Sequence, residues 1–300
     1  MVMKCWAKEV RGQSESLPEV ASNDDPFQKH YNTRPTPPPG TLVPGLTKNL
    51  RMAYDAITET FWYGPPQARS IFIPNSLLLE WKSVSEGVST NDLIQAWLIK
   101  SWASAVANES LTVSILNFID LRKHLPEIVP KTYLRNASPY RISPRALKVK
   151  DIKQMTHIEL AKICRSFVKH STSPEAELNY QSYEFDQREK GKNFRMLPKA
   201  NCILALTSGS LFNLPQLDFG RKVECFEGIP RTSRPEANIG AVWVEDEGAR
   251  IVFWMNKRKW NRGVWKSIHQ SRNLLELEDL RMESSYACTT GQCIEALSRL

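Results

Sequence analysis

The chain has 300 residues, 41% hydrophobic and 24% charged, which is enough for one large domain, or one and a half of ordinary size, with a substantial core. Its formal charge of +8 suits nucleic acid, an acidic membrane surface or a phosphate-bearing small molecule, and charge alone does not choose among them. Six scattered cysteines without a C-x-x-C pair point away from zinc and from a thioredoxin-like redox site, and no stretch approaches the roughly 20 apolar residues a spanning helix needs. The expectation is a metal-free chain in a reducing, cytoplasmic setting, where the sequons at Asn108 and Asn136 mean little.

In chain order, WAKEVRG (Trp6 to Gly12) reads as the end of a buried helix, with Trp6, Ala7 and Val10 apolar and Gly12 as its stop. Residues 1–20 are assigned to this helix and its exit, and residues 21–66 to a crossing loop or linker whose clearest extended stretch is RPTPPPGTLVPG, Arg34 to Gly45. From Arg69 the pattern turns strand-like through SIFIPNSL. Ser89 with Asp92 three residues later then forms a capping-box signature opening an amphipathic helix with Ile94, Trp97, Leu98 and Ala105 on one face.

Leu111 to Arg122 reads as a buried strand and Asp151 to His170 as one helix, on the recurrence of Leu160, Ile163, Phe167 and Val168. Asn201 to Leu211 is a further central strand, and GAVWVEDEGARIVFWM is a β-hairpin turning at Glu245 to Gly248. A final helix is expected over about Arg262 to Met282, with residues 283–300 as a tail.

Four stretches in this order, STND (Ser89 to Asp92), FIDLRKHLP (Phe118 to Pro126), YLRNA (Tyr133 to Ala137) and TSGSLFNLPQLDFG (Thr207 to Gly220), resemble the C-terminal domain of the BAHD family of acyl-CoA-dependent acyltransferases. The likeness is to the fungal, trichothecene-acetyltransferase-like branch. It implies an α/β fold of the chloramphenicol-acetyltransferase type, a mixed sheet flanked by helices, with residues 67–282 as one full domain and the opening helix as a remnant of another. The implied activity is acyl transfer, acetyl transfer in particular, from acyl-CoA to the hydroxyl of a secondary metabolite. Acyl-CoA is then a co-substrate and a small molecule the acceptor, with no permanently bound cofactor, no metal, no nucleic acid and no membrane, in a monomer.

The same resemblance assigns residues. Thr207 and Ser208 would line the reacting carbonyl and offer hydroxyls to the oxyanion, although a strand end rich in small polar residues explains them as well. Ser89 and Thr90 match a region near the pantetheine arm, against the helix-capping role that already accounts for them. Arg122 and Asp218 would form a structural ion pair, with Gly220 completing the DFG turn. In the basic run NKRKWNRGVWK, Lys257, Arg258 and Lys259 could meet the phosphates of CoA or of nucleic acid, whereas the bland reading is a solvated helix entrance over packed tryptophans, and a nuclear-targeting reading of KRK is weak.

The family's general base is the histidine of a His-x-x-x-Asp-Gly motif, and WAKEVRG matches the segment that closes the helix following it. None of the five histidines fits: four residues beyond His30, His124, His157, His170 and His269 stand Arg34, Ile128, Ala161, Pro174 and Asn273. The expectation is therefore no catalytic residue within this chain and a base lying upstream of Met1. The face where the missing half docks should be apolar and exposed. The rivals are a catalytically inactive truncated member or incomplete gene model, and a nucleic-acid binder resting on positive charge.

Overall fold

A computed structural model describes residues 8–13, 24–32, 34–42, 50, 54, 57–58, 61–133, 137, 139–191, 196–208, 238–245 and 247–261. Residues 262–282, the DFG turn with Asp218 and Gly220, the 283–300 tail and Trp6 lie outside these, and with them the expected final helix. Among the described residues the architecture is a seven-stranded mixed sheet carrying helices on one face, the expected α/β arrangement.

The edge strand β2 (Pro66–Pro74) follows a two-residue strand β1 (Thr41–Leu42) and runs into helix α1 (Asn75–Ser83). The sequence reading carried that strand on through Leu77. It stops at Pro74, which offers no N–H to a ladder and is tolerated at the end of an edge strand. Helix α2 (Thr90–Ala105) leads into β3 (Thr112–Phe118) and the single turn α3 (Leu121–His124). Strands β4 (Tyr140–Ile142) and β5 (Leu147–Lys148) both pair antiparallel with β3.

The one helix expected over Asp151 to His170 is two, α4 (Val149–Gln154) and α5 (His157–Ser171). A second capping box causes the break: Glu159 N–H donates to Thr156 Oγ1 at 3.2 Å while Thr156 N–H donates to the Glu159 carboxylate at 2.7 Å, so a new helix starts at His157. Helix α6 (Pro174–Glu189) was not anticipated at all. The short strand β6 (Leu197–Pro198) pairs with β1, and β7 (Cys202–Ser208), β8 (Ile239–Glu245) and β9 (Gly248–Asn256) complete the sheet before a last turn α7 (Lys257–Lys259).

The sheet order is β2-β9-β8-β7-β3-β4, with β5 also on β3. The expected β8–β9 hairpin is present, with Val242 opposite Ile251. Strand β7 runs parallel to both β3 and β8, so its carboxyl end and that of β3 point the same way.

Helix α2 is buried almost all round, as befits a core helix. Leu93, Ile94, Leu98 and Trp102 pack with Val113 and Ile115 of β3, Leu204 and Leu206 of β7 and Phe253 of β9. The opposite sheet face carries a smaller cluster of Ala241, Trp243 and Val252. The polyproline stretch lies against α6, where Asn179 Oδ1 accepts from Thr36 N–H at 3.0 Å and Asn179 Nδ2 donates to Thr36 O. Gly40 adopts φ +76°, and a Cβ there would stand 2.2 Å from Ser143 O, so this crossing fits only glycine.

Gly12, at φ +69°, ends a helical turn as read, but Val10 is 55% exposed, so the described part of that helix is not a buried one. Leu50, Tyr54, Ile57 and Phe61 recur at helical spacing and, with Trp62, are all more than 60% exposed, an apolar stripe within the stretch expected to be a crossing loop.

Candidate active site

The carboxyl ends of the parallel strands β3 and β7 open onto a cleft of about 170 Å³, roofed by the start of α2, the end of α5 and the turn α3. Open α/β sheets typically bind ligands beyond the carboxyl ends of their parallel strands, because loops and helix N-termini converge there. Six residues define its chemistry: Asn91 of α2, Asn117 and Asp120 at the end of β3, Lys123 and His124 of α3, and Ser208 of β7.

Local sequence explains each position. Asn117 is the last inward-facing residue of β3, two beyond Ile115, and stands opposite Leu206 of β7 and Arg141 of β4. Asn91 and Gln95 are one turn apart on α2, so both meet the sheet. Gln95 Nε2 donates to Asn117 Oδ1 at 2.8 Å in a fully buried contact. Asp120 caps α3 by accepting from Arg122 N–H at 3.2 Å. Partial desolvation, with Lys123 beside it, lowers the His124 pKa below the ordinary imidazole value, so the imidazole is neutral over a wider range of pH.

The pleat separates Thr207 from Ser208, which the sequence reading had paired. Thr207 stands opposite Ala241, on the face of the smaller cluster, whereas Ser208 stands opposite Val242 on the helix side and lines the cleft. Of the two hydroxyls only that of Ser208 belongs to the cleft that Asn91 and Asn117 line.

Ser89 and Thr90 lie at the same end, immediately before Asn91. Ser89 is committed to the expected capping box: its hydroxyl oxygen accepts from Asp92 N–H at 3.2 Å, while its own N–H and O–H donate to Asp92 Oδ2, each at 2.7 Å. That box satisfies a backbone donor at the start of α2 and places a buried carboxylate there, with Arg165 Nη1 at 4.0 Å.

Lys257 and Arg258 stand at the other end of the sheet. Ser208, Val242 and Ile251 share one level, and Lys257 is six positions further along the β9 direction, about 20 Å away at ~3.3 Å per residue. Arg258 Nη1 donates to Trp62 O at 2.6 Å, and Trp260 beneath is 1% exposed, as the packed-tryptophan reading had it. The residues suggested for CoA thus fall into two groups at opposite ends, and in the second group Lys259 is buried.

Arg122 donates through Nε to Tyr133 O at 2.7 Å and through Nη1 to Asp120 at 3.1 Å, which ties FIDLR to the start of YLRNA. Asp218, the expected partner of Arg122, lies outside the described residues; a buried Arg–carboxylate fork is described between Arg141 and Glu177. Asn91, Asn117 and His124 are cleft residues that the sequence reading missed. The i, i+4 amides on α2 and an inward-facing Asn on a buried strand were the available signals.

The fold is that of the BAHD-type acyltransferases, an α/β body with a central mixed sheet. Among solved structures it is similar to TRI101 of F. sporotrichioides complexed with coenzyme A and T-2, at TM-score 0.61 and 15% identity, covering 89% of this chain and 61% of that one. Vinorine synthase matches at TM-score 0.59 and 12% identity over 92% of this chain and 58% of its own. TRI101 of F. graminearum, complexed with coenzyme A and deoxynivalenol, matches at 0.56 and 15% over 66% and 47%. The chain therefore spans about half to three-fifths of the length of these structures. No family model matches the sequence, and no curated protein matches it. Among the described residues no helix is long and apolar enough to cross a membrane.

Proposed function

We propose that the chain is the CoA-side half of an acyl-CoA-dependent O-acyltransferase, acting on the hydroxyl of a small secondary-metabolite acceptor of fungal type. One observation carries this reading: a cleft at the carboxyl ends of β3 and β7, bordered by Ser208 and the capped start of α2, in a fold shared with structures that hold coenzyme A. Acyl-CoA is a co-substrate that enters and leaves, and no resident cofactor or metal takes part. The protein works as a cytoplasmic monomer without nucleic acid.

Attack of a hydroxyl on a thioester needs a base within hydrogen-bond reach of the acceptor proton and a donor for the oxygen that becomes negative. Ser208 supplies a hydroxyl at the cleft for the second need. The base is the histidine of a His-x-x-x-Asp-Gly motif carried by polypeptide outside these 300 residues, since no histidine here stands in that pattern. The exposed stripe of Leu50, Tyr54, Ile57 and Phe61 suits the docking of such a half. Asp218 is assigned to the structural partnership with Arg122, so Asp218→Ala should lower the melting temperature.

The test is acetyl transfer from acetyl-CoA to deoxynivalenol and similar alcohols by the purified chain, alone and extended by the reading frame preceding Met1. The reading expects turnover in the extended form and a rate lower by about 10²- to 10⁴-fold without the base. Equal rates for both would refute the division of labour. Failure of either form to bind acetyl-CoA would refute the function.

A further inference from the structure

The cleft contains an unfinished hydrogen-bond network. Gln95 is fully buried and Asn117 is 5% exposed, and the bond between them uses one donor and one acceptor of their two amides. Asn117 Nδ2 and Gln95 Oε1 are left buried without a partner, and so is Asn91 Oδ1. Turning both amides over exchanges the roles of the two leftover atoms and still leaves one donor and one acceptor. A buried polar group without a partner costs stability, so three at one place need a reason.

Asn91 and Asn117 both line the cleft, and their free atoms are complementary: an acceptor on the helix side and a donor on the sheet side. A ligand that offers a carbonyl oxygen and an N–H together satisfies both. We infer that Asn91 and Asn117, with Gln95 fixing the orientation of Asn117, form a clamp for a secondary amide group. The ligand carbonyl accepts from Asn117 Nδ2, and the ligand N–H donates to Asn91 Oδ1. This inference rests on the acyltransferase reading for the identity of the ligand: the pantetheine arm of CoA carries two secondary amides along a narrow, otherwise apolar chain. Ser208 at the same cleft then lies along that arm, and the clamp sets how far the thiol end reaches. Asn91 and Asn117 are thus binding residues and Gln95 a positioning residue.

The experiment measures binding of pantetheine, of coenzyme A and of an amide-free thiol of matched length to the full chain by calorimetry, together with thermal melts without ligand. The variants are Asn117→Asp, Asn117→Leu and the triple Asn91→Leu/Gln95→Leu/Asn117→Leu. The clamp predicts that wild type binds pantetheine in preference to the amide-free thiol and that each variant weakens pantetheine binding by about tenfold or more. It also predicts that the triple leucine variant melts no lower than wild type, because it replaces the whole incompletely bonded network by apolar side chains and leaves no buried amide behind. A purely structural role would lower the melt and leave preference among the thiols unmoved. Equal pantetheine affinity in wild type and variants, with coenzyme A still bound, overturns the clamp alone and leaves a bridging water as the network's partner. Loss of all binding in wild type, coenzyme A included, overturns the clamp and the functional reading together.

Discussion

Replacing Glu177 by Gln removes one charge from a pair that is almost wholly out of water. The side chains of Arg141 and Glu177 are 3% and 1% exposed; Arg141 Nε donates to Glu177 Oε2 at 2.7 Å, and Nη2 donates to the other carboxylate oxygen. Arg141 Nη1 donates to Tyr140 O at 2.8 Å, its guanidinium lies 3.7 Å from the Tyr180 ring centre, and Gln181 Nε2 donates to Glu177 Oε1 at 2.8 Å. Every neighbour is thus arranged around the two charges, and this pair pins α6 to β4 beside Asn117. Removing one partner of such a pair typically costs about 3–5 kcal/mol, because the other charge stays buried and uncompensated. At about 2–4 °C per kcal/mol for a domain of this size, Glu177→Gln should melt roughly 6–20 °C below wild type. Differential scanning calorimetry at neutral pH reads this directly, and Arg141→Met/Glu177→Leu should regain most of the loss. A Glu177→Gln melt within about 2 °C of wild type would refute the reasoning.

Two further predictions concern stability at the first turn of α2. His157 Nε2 lies 2.8 Å from Leu93 O and the ring packs edge-on against Trp81; burial lowers its pKa below the ordinary imidazole value, outweighing the bond to Leu93. The unfolded chain then binds more protons between the lowered value and the ordinary one, so stability rises with pH through that window and levels off above it. Melts recorded from about pH 5 to 8 should show this slope, and His157→Gln should flatten it; an unchanged slope would contradict the assignment. Ser89→Ala should destabilise by about 0.5–2 kcal/mol through loss of the cap, and Ser89→Asn should restore most of it. Denaturant titration decides, and an alanine variant as stable as wild type would show that the box carries no weight.

The parts of the fold legible in the sequence were those with local signals. Ser89 and Asp92 announced α2, and alternation around Glu245 to Gly248 announced the β8–β9 hairpin. Helix α6 escaped because three of the four residues it buries, Glu177, Ser182 and Gln187, are polar; only Tyr180 marks the inner face, which packs on Ile142 and Met196 and around the buried Arg141. Helices α4 and α5 read as one because their apolar positions nearly stay in phase across Met155, and the Thr156 capping box was the missed stop. In the candidate site, motif likeness found Ser208 but grouped it with Thr207, although period-two alternation already put the two on opposite faces. Asn91 and Asn117 were beyond reach, since each is an ordinary polar residue until α2 is laid on β3.

The most direct test of the account is a titration of the isotope-labelled chain with coenzyme A, followed by backbone and side-chain amide NMR. Shifts concentrated at Asn91, Asn117 and Ser208, with the Asn117 side-chain amide among the largest, are the predicted result. An unperturbed spectrum, or shifts gathered instead at the larger cleft of about 690 Å³ beside His30 and Tyr180, would contradict it.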